Sequence, residues 1–353
     1  MLRTLRQRTT FTDIVIWAIG LAIAVVVVIG TISTLRSGKY SVETWIDLFI
    51  SGLSLGSVYA LIALGYTLVY GILRMINFAH SEVFMSGPFT AVFVAQALNG
   101  AGLLERSPVL SLLLITLVSA GVSCTIAILL ERIAYRPLRK APRLVPLITA
   151  IGASFFLQYA FRGLFGSGIQ AYPSIPALEG AWTLGTIRFF KTDIVIILSA
   201  LAMMLVLYSI VQKTKMGKAM RAVSEDKEVA TLMGIDVDRV IVVTFALGGA
   251  SAGVAGILYA LAFPIVNFYM GFTPSIKAFT AAVLGGIGNV PGAFIGAMVL
   301  GVVESVGPNL FLDGLGIPSP NQLKDLLAFV ILVFILIFRP TGILGERLTQ
   351  TKA

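Results

Sequence analysis

The chain is poor in the residues on which disulfide-rich and metal-dependent proteins rely. Its 353 residues include one cysteine and one histidine, and only 12% are charged, against about 25% in soluble domains. The lone Cys124 can form no internal disulfide. His80 is followed by "SE", not by the spacing of a zinc motif, and a zinc site needs three or four ligands. We therefore expect neither a disulfide framework, nor a metal site, nor a Cys–His nucleophilic centre.

Motifs that bind nucleotides are missing as well. A phosphate-binding loop of the G-x-x-x-x-G-K-[ST] type would need Ser or Thr after Lys218 and Gly at position 212, where the chain has Ala219 and Gln212. In "GGIGNVPG", Pro291 replaces the last glycine of a dinucleotide fingerprint. We expect that this chain is not an enzyme and holds no cofactor of its own.

Apolar sequence is abundant. Hydrophobic residues make up 57% of the chain, and the mean hydropathy of +0.95 fits a protein whose solvent is largely lipid. Helices satisfy their own backbone groups in hydrocarbon, and a β-barrel would show short alternating segments instead of continuous apolar runs. The runs lie at about 14–32, 48–73, 83–99, 108–130, 145–165, 192–212, 240–262, 277–306 and 323–338. They predict an all-α, polytopic membrane helix bundle of about nine to ten membrane segments.

The first run has two interpretations. Arg3, Arg6 and Arg8 precede it, as in a signal peptide, but no small-x-small cleavage site follows its 19 residues. We favour a membrane anchor helix.

The net charge of +9 comes from residues in the loops between apolar runs, which indicates membrane orientation and not nucleic-acid binding. Basic residues crowd the segments 132–143 and 213–239, whereas 166–190 has one arginine and no lysine. The first two segments should face the cytoplasm and the third should face away. With both termini cytoplasmic, the alternation holds only if 277–306 forms two membrane elements.

The segment 277–306 contains "LGGIGNVPG", whose glycines and Pro291 interrupt helices. A broken helix pair is our interpretation, and one kinked helix is the alternative. Glycines four residues apart, such as Gly52 and Gly56 or Gly249 and Gly253, indicate close helix packing but identify no site.

The hydrophilic segment 213–239 predicts a short amphipathic helix over 224–234. Ser224 is a suitable N-cap, with Glu225 and Asp226 in the first turn. An apolar face follows at i, i+3 and i+4, formed by Val229, Leu232 and Met233, and Gly234 can end the helix. The helix could lie among lipid headgroups or dock on a partner protein, and its acidic first half favours the partner.

The stretch "MINFAHSEVFM" at 75–85 places several polar groups between apolar runs. A turn explains them: Gly71 and Asn77 would end one helix, Ser81 would cap the next, and Glu82 would sit in its first turn. The alternative is that Asn77 and His80 line a transport path.

Five segments resemble one known family, the branched-chain amino acid permease subunit of bacterial ABC importers, of the leucine/isoleucine/valine type. They are "GLSLGSVYALIALGYTLVYGILRMINFAHSEVFM" (52–85), "ERIAYRPLR" (131–139), "MGKAMRAVSEDKEVATLMGIDVDRVIVVTFALGGASAGVAGIL" (216–258), "KAFTAAVLGGIGNVPGAFIGAMVLGVVE" (277–304) and "PTGILG" (340–345). The resemblance covers about residues 45 to 346. It implies a permease domain over 41–346, preceded by an extension at 1–40 with an extra membrane helix and followed by a cytoplasmic tail at 347–353.

The resemblance also implies partners and a mechanism. A sister permease subunit, usually forming a heterodimer, would complete the path in the bacterial inner membrane, among lipid. Two ABC ATPase subunits would use ATP and Mg, and a periplasmic binding protein would deliver substrate. Coupling to the ATPase would fall to Glu225, Asp226, Val229, Met233 and Gly234.

The substrate is fixed less firmly than the mechanism, because the same family includes urea and amide permeases. Zwitterions need polar contacts in an apolar lining, and Asn77, His80 and the interrupted stretch with Gly285, Gly286 and Asn289 could supply them. A self-sufficient secondary transporter is the rival from another class; it would need a membrane-embedded acid or base, for which Glu82, Glu304 and His80 are candidates.

Overall fold

Helices dominate the computed structural model, which describes residues 11–139, 141–142, 144–185, 187–338 and 342–344. The helices are α1 (Phe11–Ser37), α2 (Val42–Leu73), α3 (His80–Gly100), α4 (Leu103–Arg106), α5 (Pro108–Leu130), α6 (Leu144–Phe165), α7 (Lys191–Lys213), α8 (Lys215–Glu225), α9 (Lys227–Leu232), α10 (Val237–Ala262), α11 (Phe272–Gly285), α12 (Val290–Gly307) and α13 (Lys324–Phe338). The arginines expected before the first helix and the tail at 347–353 lie outside the described residues.

The prediction of an all-α, polytopic membrane bundle is confirmed. Within the described ranges, eight helices are long and apolar enough to cross a membrane. The helices α3 and α11 pack among them without belonging to that set. With 14 residues, α11 is about 21 Å long and too short to cross about 30 Å of hydrocarbon.

The centre of the bundle is α2, which packs against α10, α11 and α12, while α5 packs against α3 and α10. Glycines permit this close approach, as their spacing predicted. A Cβ atom on Gly56 would lie 2.8 Å from the carbonyl oxygen of Ala297, and one on Gly253 would lie 2.6 Å from that of Ser119. The central helices are therefore in backbone contact, where a larger side chain has no room.

The segment 277–306 forms two helices, as its glycines and Pro291 predicted. Helix α11 ends at Gly285, and α12 begins at Val290 after a turn with positive φ at Gly286 and Gly288. Gly285 faces Gly292 and Gly296 faces Ala281, so the helices form an antiparallel hairpin. The alternative of one kinked helix is wrong, because two glycines at positive φ end the first helix outright.

Small β elements lie at the end of the bundle opposite α8 and α9. Strand β1 (Gln170–Ala171) pairs with β4 (Ile265–Val266), and β2 (Ala181–Leu184) forms a hairpin with β3 (Ile187–Phe190). The sequence predicts none of these strands, because strands of two to four residues are too short to produce a period.

Helix α1 packs at the edge of the bundle, against the π-helical turn Pro308–Leu312 and the turn Asp313–Leu315. A Cβ atom on Gly30 would collide with the carbonyl oxygen of Phe311. After α1 ends, Lys39 Nζ forms an ion pair with Asp313 at 2.8 Å. Helix α1 is thus docked on the rest of the bundle through backbone contact, and the residue pair Lys39–Asp313 adds an ion pair.

Candidate functional site

The hydrophilic segment between α7 and α10 is built from two capped helices, α8 and α9. Thr214 Oγ1 accepts a hydrogen bond from Gly217 N at 3.0 Å and starts α8. Asp226 Oδ1 accepts from Glu228 N at 2.8 Å and from Val229 N at 3.0 Å, and so starts α9. Each cap satisfies N–H groups that a helix leaves unpaired at its first turn.

The prediction that Ser224 caps this helix is wrong. Helix α8 continues through Ser224, whose Oγ donates to Arg221 O at 2.7 Å, and the cap of the next helix is Asp226, two residues later. A serine within a helix bonds back to the preceding turn, so the better anionic cap decides the boundary. Gly234 ends the segment with φ +81°, as predicted.

The apolar residues of α9 point in two directions. Ala230 is buried against the bundle, whereas Val229, Leu232 and Met233 are 54%, 86% and 77% exposed. These three residues form what we name the α9 apolar tip. Leu232 is its most exposed member and was absent from the residues that the family resemblance assigned to coupling, although the i, i+3, i+4 spacing includes it.

Basic side chains surround the start of α9, next to its apolar tip. An Arg74 guanidinium nitrogen donates to Ser224 O at 3.3 Å, joining the end of α2 to α8. Partial burial and the nearby Arg139 and Arg74 guanidinium groups lower the pKa of Lys227. The carboxylate of Glu225 is exposed beside Asp226 at the junction of α8 and α9. The segment therefore presents apolar and charged groups together.

The stretch 75–85 lies mostly inside the bundle. Helix α2 continues through Gly71 to Leu73, and Arg74 ends it with φ 58°. Helix α3 begins at His80, and its cap position is Ala79. The predicted roles of Gly71 and Asn77 as the end of one helix and of Ser81 as the cap of the next are therefore wrong. Ser81 lies within the first turn of α3, and its Oγ donates to Phe78 O at 2.9 Å.

Asn77 and His80 are buried by neighbouring helices. Tyr135 Oη donates to Asn77 Oδ1 at 2.6 Å. The imidazole of His80 fills the space left by Gly65, where a Cβ atom would collide with it, and its ring centroid is 4.7 Å from that of Tyr66. Both side chains are thus held in the packed interior of this chain, and their contact with substrate stays a prediction.

The other three predicted path residues form the turn between α11 and α12. Asn289 Oδ1 accepts from Gly292 N at 3.0 Å as the cap of α12, and its Nδ2 donates to Leu344 O at 3.0 Å. Gly285 O accepts from Leu344 N at 3.0 Å, and Gly286 supplies the positive φ. These contacts account for the residues structurally, and the structure does not bring them together with His80.

The structure contains a buried charge network that the sequence did not predict. Lys277 Nζ lies 2.5 Å from Glu304 Oε1 and 2.6 Å from Asp325 Oδ1, and Tyr59 Oη donates to Glu304 Oε1 at 3.3 Å. These side chains come from four helices, so no sequence spacing relates them. Among the described residues, no group of three or more His, Cys, Asp or Glu side chains is arranged to hold a metal ion.

Comparisons with known proteins decide the family. The family described as "Branched-chain amino acid transport system / permease component" matches residues 48–336. The chain belongs to this permease family. It is 42% identical over 307 residues to the high-affinity branched-chain amino acid transport system permease protein LivH of Salmonella typhimurium, covering 84% of this chain and 94% of LivH. This permease is therefore a multi-pass membrane protein.

Two further relatives show the breadth of the family. The permease is 41% identical over 309 residues to BraD of Pseudomonas aeruginosa, and the match covers 86% of this chain and 96% of BraD. BraD is also named as a high-affinity branched-chain amino acid transport system permease protein. It is 26% identical over 323 residues to LsrC of Yersinia enterocolitica, an autoinducer 2 import system permease protein; the match covers 90% of this chain and 80% of LsrC. Relatives of this chain thus carry different cargoes in their names.

Proposed function

We propose that this permease is one half of the membrane path of an inner-membrane ABC importer for branched-chain amino acids. High identity to LivH and BraD over nearly their whole length supports the substrate class. The LsrC relative shows that family membership alone does not select a cargo. Hence we base the substrate on the closer identity, not on the fold.

Energy for transport comes from two partner ATPases that use ATP and Mg. A sister permease completes the path, and a periplasmic binding protein delivers the substrate. The α9 apolar tip carries the proposal on the cytoplasmic side. Three adjacent apolar side chains, each more than half exposed on a charged segment, form the anchor pattern of a helix that docks in a groove.

The docked helix would convert closure of the ATPases into a change of the bundle. Segment α8–α9 is joined to the end of α2 by the Arg74–Ser224 hydrogen bond, and its buried residues Met220, Val223 and Ala230 belong to the core cluster. A force on the tip therefore reaches α2, the helix with contacts to α10, α11 and α12. Exposed Glu225 and the cap Asp226 supply polar contacts at its rim.

Replacing Val229 and Met233 by serine tests this coupling. In proteoliposomes that contain both permeases and the ATPases, we expect leucine uptake and substrate-stimulated ATP hydrolysis to fall at least about tenfold, since each buried apolar anchor contributes about 1.5–3 kcal/mol. The helix bundle should remain folded, because both side chains are exposed. Normal uptake with normal ATPase co-purification would contradict the proposal.

A matched control is Ile133→Ser. Ile133 is 72% exposed in the π-helical turn Glu131–Tyr135, but it does not belong to the α9 apolar tip. It should leave uptake unchanged. The rival function, secondary transport, is tested in the same vesicles: uptake that persists without ATP and collapses with the proton gradient would replace our proposal.

A further inference from the structure

Glu82 is a buried carboxyl group without a cationic partner. It is 1% exposed in the first turn of α3. Oxygen Oε1 accepts a hydrogen bond from Ser154 Oγ at 3.1 Å, and it lies 3.3 Å from Ser81 Oγ, whose single proton it shares with the nearer Phe78 O. Oxygen Oε2 is buried and makes no hydrogen bond within the part of the chain that the structure describes. The group therefore has unused capacity to accept hydrogen bonds.

In the part of the chain that the structure describes, the other two fully buried carboxylates are paired. Glu304 contacts Lys277, and Glu131 contacts Arg139. None of the ion pairs formed by the described residues includes Glu82. A buried acid is normally compensated by a cation or a full set of donors, and an uncompensated acid inside a membrane protein marks a functional position.

Helix α6 covers Glu82 but has few buried residues of its own. Ser154 stands at the middle of this 22-residue helix, and only Pro146, Ala150 and Phe161 are buried along it. Its main contacts are with α3 and the turn Glu131–Tyr135. Gly152, in the same part of the helix, has open space around it. A small displacement of the middle of α6 would uncover the carboxyl group without disturbing the central helices.

We propose that Glu82 is a contact for the ammonium group of the transported amino acid, and that it is uncovered when the middle of α6 moves away from α3. This inference rests on the proposed function. An ammonium group supplies both the positive charge and the N–H donors that the carboxylate lacks, and the Ser81 and Ser154 hydroxyls can accept from it.

The surroundings suit an aliphatic amino acid better than a metal ion. Phe89, two turns along α3, faces the same helix, with its ring centroid 6.3 Å from that of Phe161. Apolar walls beside a few polar groups are typical of sites for small molecules. A hard metal ion needs about six oxygen ligands, and no group of metal-ligating side chains surrounds Glu82 among the described residues.

Charge-selective labelling tests the contact. The only native cysteine is replaced by Cys124→Ala, and Ser154→Cys introduces one thiol beside Glu82. The full transporter is then treated separately with a cationic methanethiosulfonate (trimethylammonium) and an anionic one (sulfonate). Each reaction is measured in three states of the transporter: free of nucleotide, trapped with ATP and vanadate, and during turnover. We expect labelling in at least one state, with a cationic-to-anionic rate ratio that drops about tenfold in Glu82→Gln. Saturating leucine delivered by the binding protein should slow the cationic reaction.

Two outcomes would overturn the inference: a thiol at 154 that never reacts, or a rate ratio unaffected by Glu82→Gln. Glu82→Asp keeps the charge and should keep the ratio, so it serves if the amide variant fails to assemble. Ser119→Cys is the buried control, because Ser119 Oγ donates to Gly253 O between α5 and α10, and it should stay unlabelled. Failure of the proposed function is distinguishable, since then the unmodified complex takes up no branched-chain amino acid at all.

Discussion

Two buried glutamates in this permease have opposite surroundings. Glu304 lies where α2, α11, α12 and α13 meet, with Lys277 at 2.5 Å and the Tyr59 hydroxyl at 3.3 Å. Glu82 lies between α3 and α6 and receives hydrogen bonds from two serine hydroxyls only. Glu304 is thus paired with a cation among closely packed helices. Glu82 has no cationic partner and lies beneath α6, a helix with few buried residues.

The surroundings of Glu304 favour stability, whereas those of Glu82 allow a change of partners. Separating charges inside a low-dielectric region is costly, so the Lys277–Glu304 pair holds four helices in one arrangement. An acid that is bonded only to hydroxyl groups loses less stabilisation when one neighbour moves, because a water molecule can replace the hydroxyl as the hydrogen-bond donor.

The largest expected effect is that of Lys277→Met. It leaves Glu304 buried without a cation and removes the ion pair to Asp325, so we expect a loss of about 3–5 kcal/mol in the free energy of unfolding. Thermal unfolding of the purified complex and the amount of permease in the membrane measure it. Adding Glu304→Gln should recover part of the loss. A double variant no better than the single one would show that the pair is not coupled.

A smaller effect is expected for Gly301→Ala on α12, one turn before Glu304. The new Cβ would collide with the backbone of Gly52 and Gly56 on α2, and overpacking typically costs about 1–3 kcal/mol. The matched control is Gly152→Ala on α6, which meets open space and should be neutral or slightly stabilising. Equal melting temperatures for the two variants would contradict the contrast between central and outer helices.

Glu82→Gln should affect stability little and transport strongly. The amide oxygen can keep both serine hydrogen bonds, so the free energy of unfolding should change by less than about 1 kcal/mol. Loss of a charge-assisted hydrogen bond to the substrate should lower leucine uptake by at least about tenfold. Uptake and melting temperature are measured on the same preparation. A variant that melts early and transports normally per folded molecule would reverse our assignment of the two acids.

The smallest effect is expected at Lys39, outside the membrane spans. Its bond to Asp313 raises the pKa of the lysine above its ordinary value of 10.5. The stabilisation is therefore fully present below pH 10.5 and is lost as pH rises through the higher folded-state pKa. Lys39→Gln should lower the melting temperature slightly at neutral pH and low salt, and the difference should vanish at high salt. A difference independent of salt would argue against an ion pair.

Much of the architecture was predictable from local sequence. The run at 108–130 coincides with α5, and the run at 145–165 differs from α6 by one residue. The break within 277–306 followed from loop charge and glycine content. The start of α3 was not predictable, because α2 continues to Leu73 and the chain then turns back so that His80 lies against Gly65. Such a return depends on contacts between helices, which leave no periodic pattern.

The candidate sites divide in the same way. The spacing of Val229, Leu232 and Met233 identified the α9 apolar tip, but the cap moved from Ser224 to Asp226 because the preceding helix was longer than expected. Leu232 was left out of the coupling residues although its spacing pointed to it. Lys277 and the isolation of Glu82 could not be found, since both depend on partners from distant parts of the chain.

The amino-acid sequence alone is enough to show that this chain crosses a membrane many times and that its family is that of branched-chain amino acid permeases. Composition and ordered motifs suffice for these conclusions, because hydrocarbon admits few kinds of backbone. Which buried acid is paired and which is uncompensated depends on the contacts between helices in the folded protein. The reason is that burial and charge pairing arise between helices, and Glu82 and Glu304 differ in what packs around them, not in chemistry.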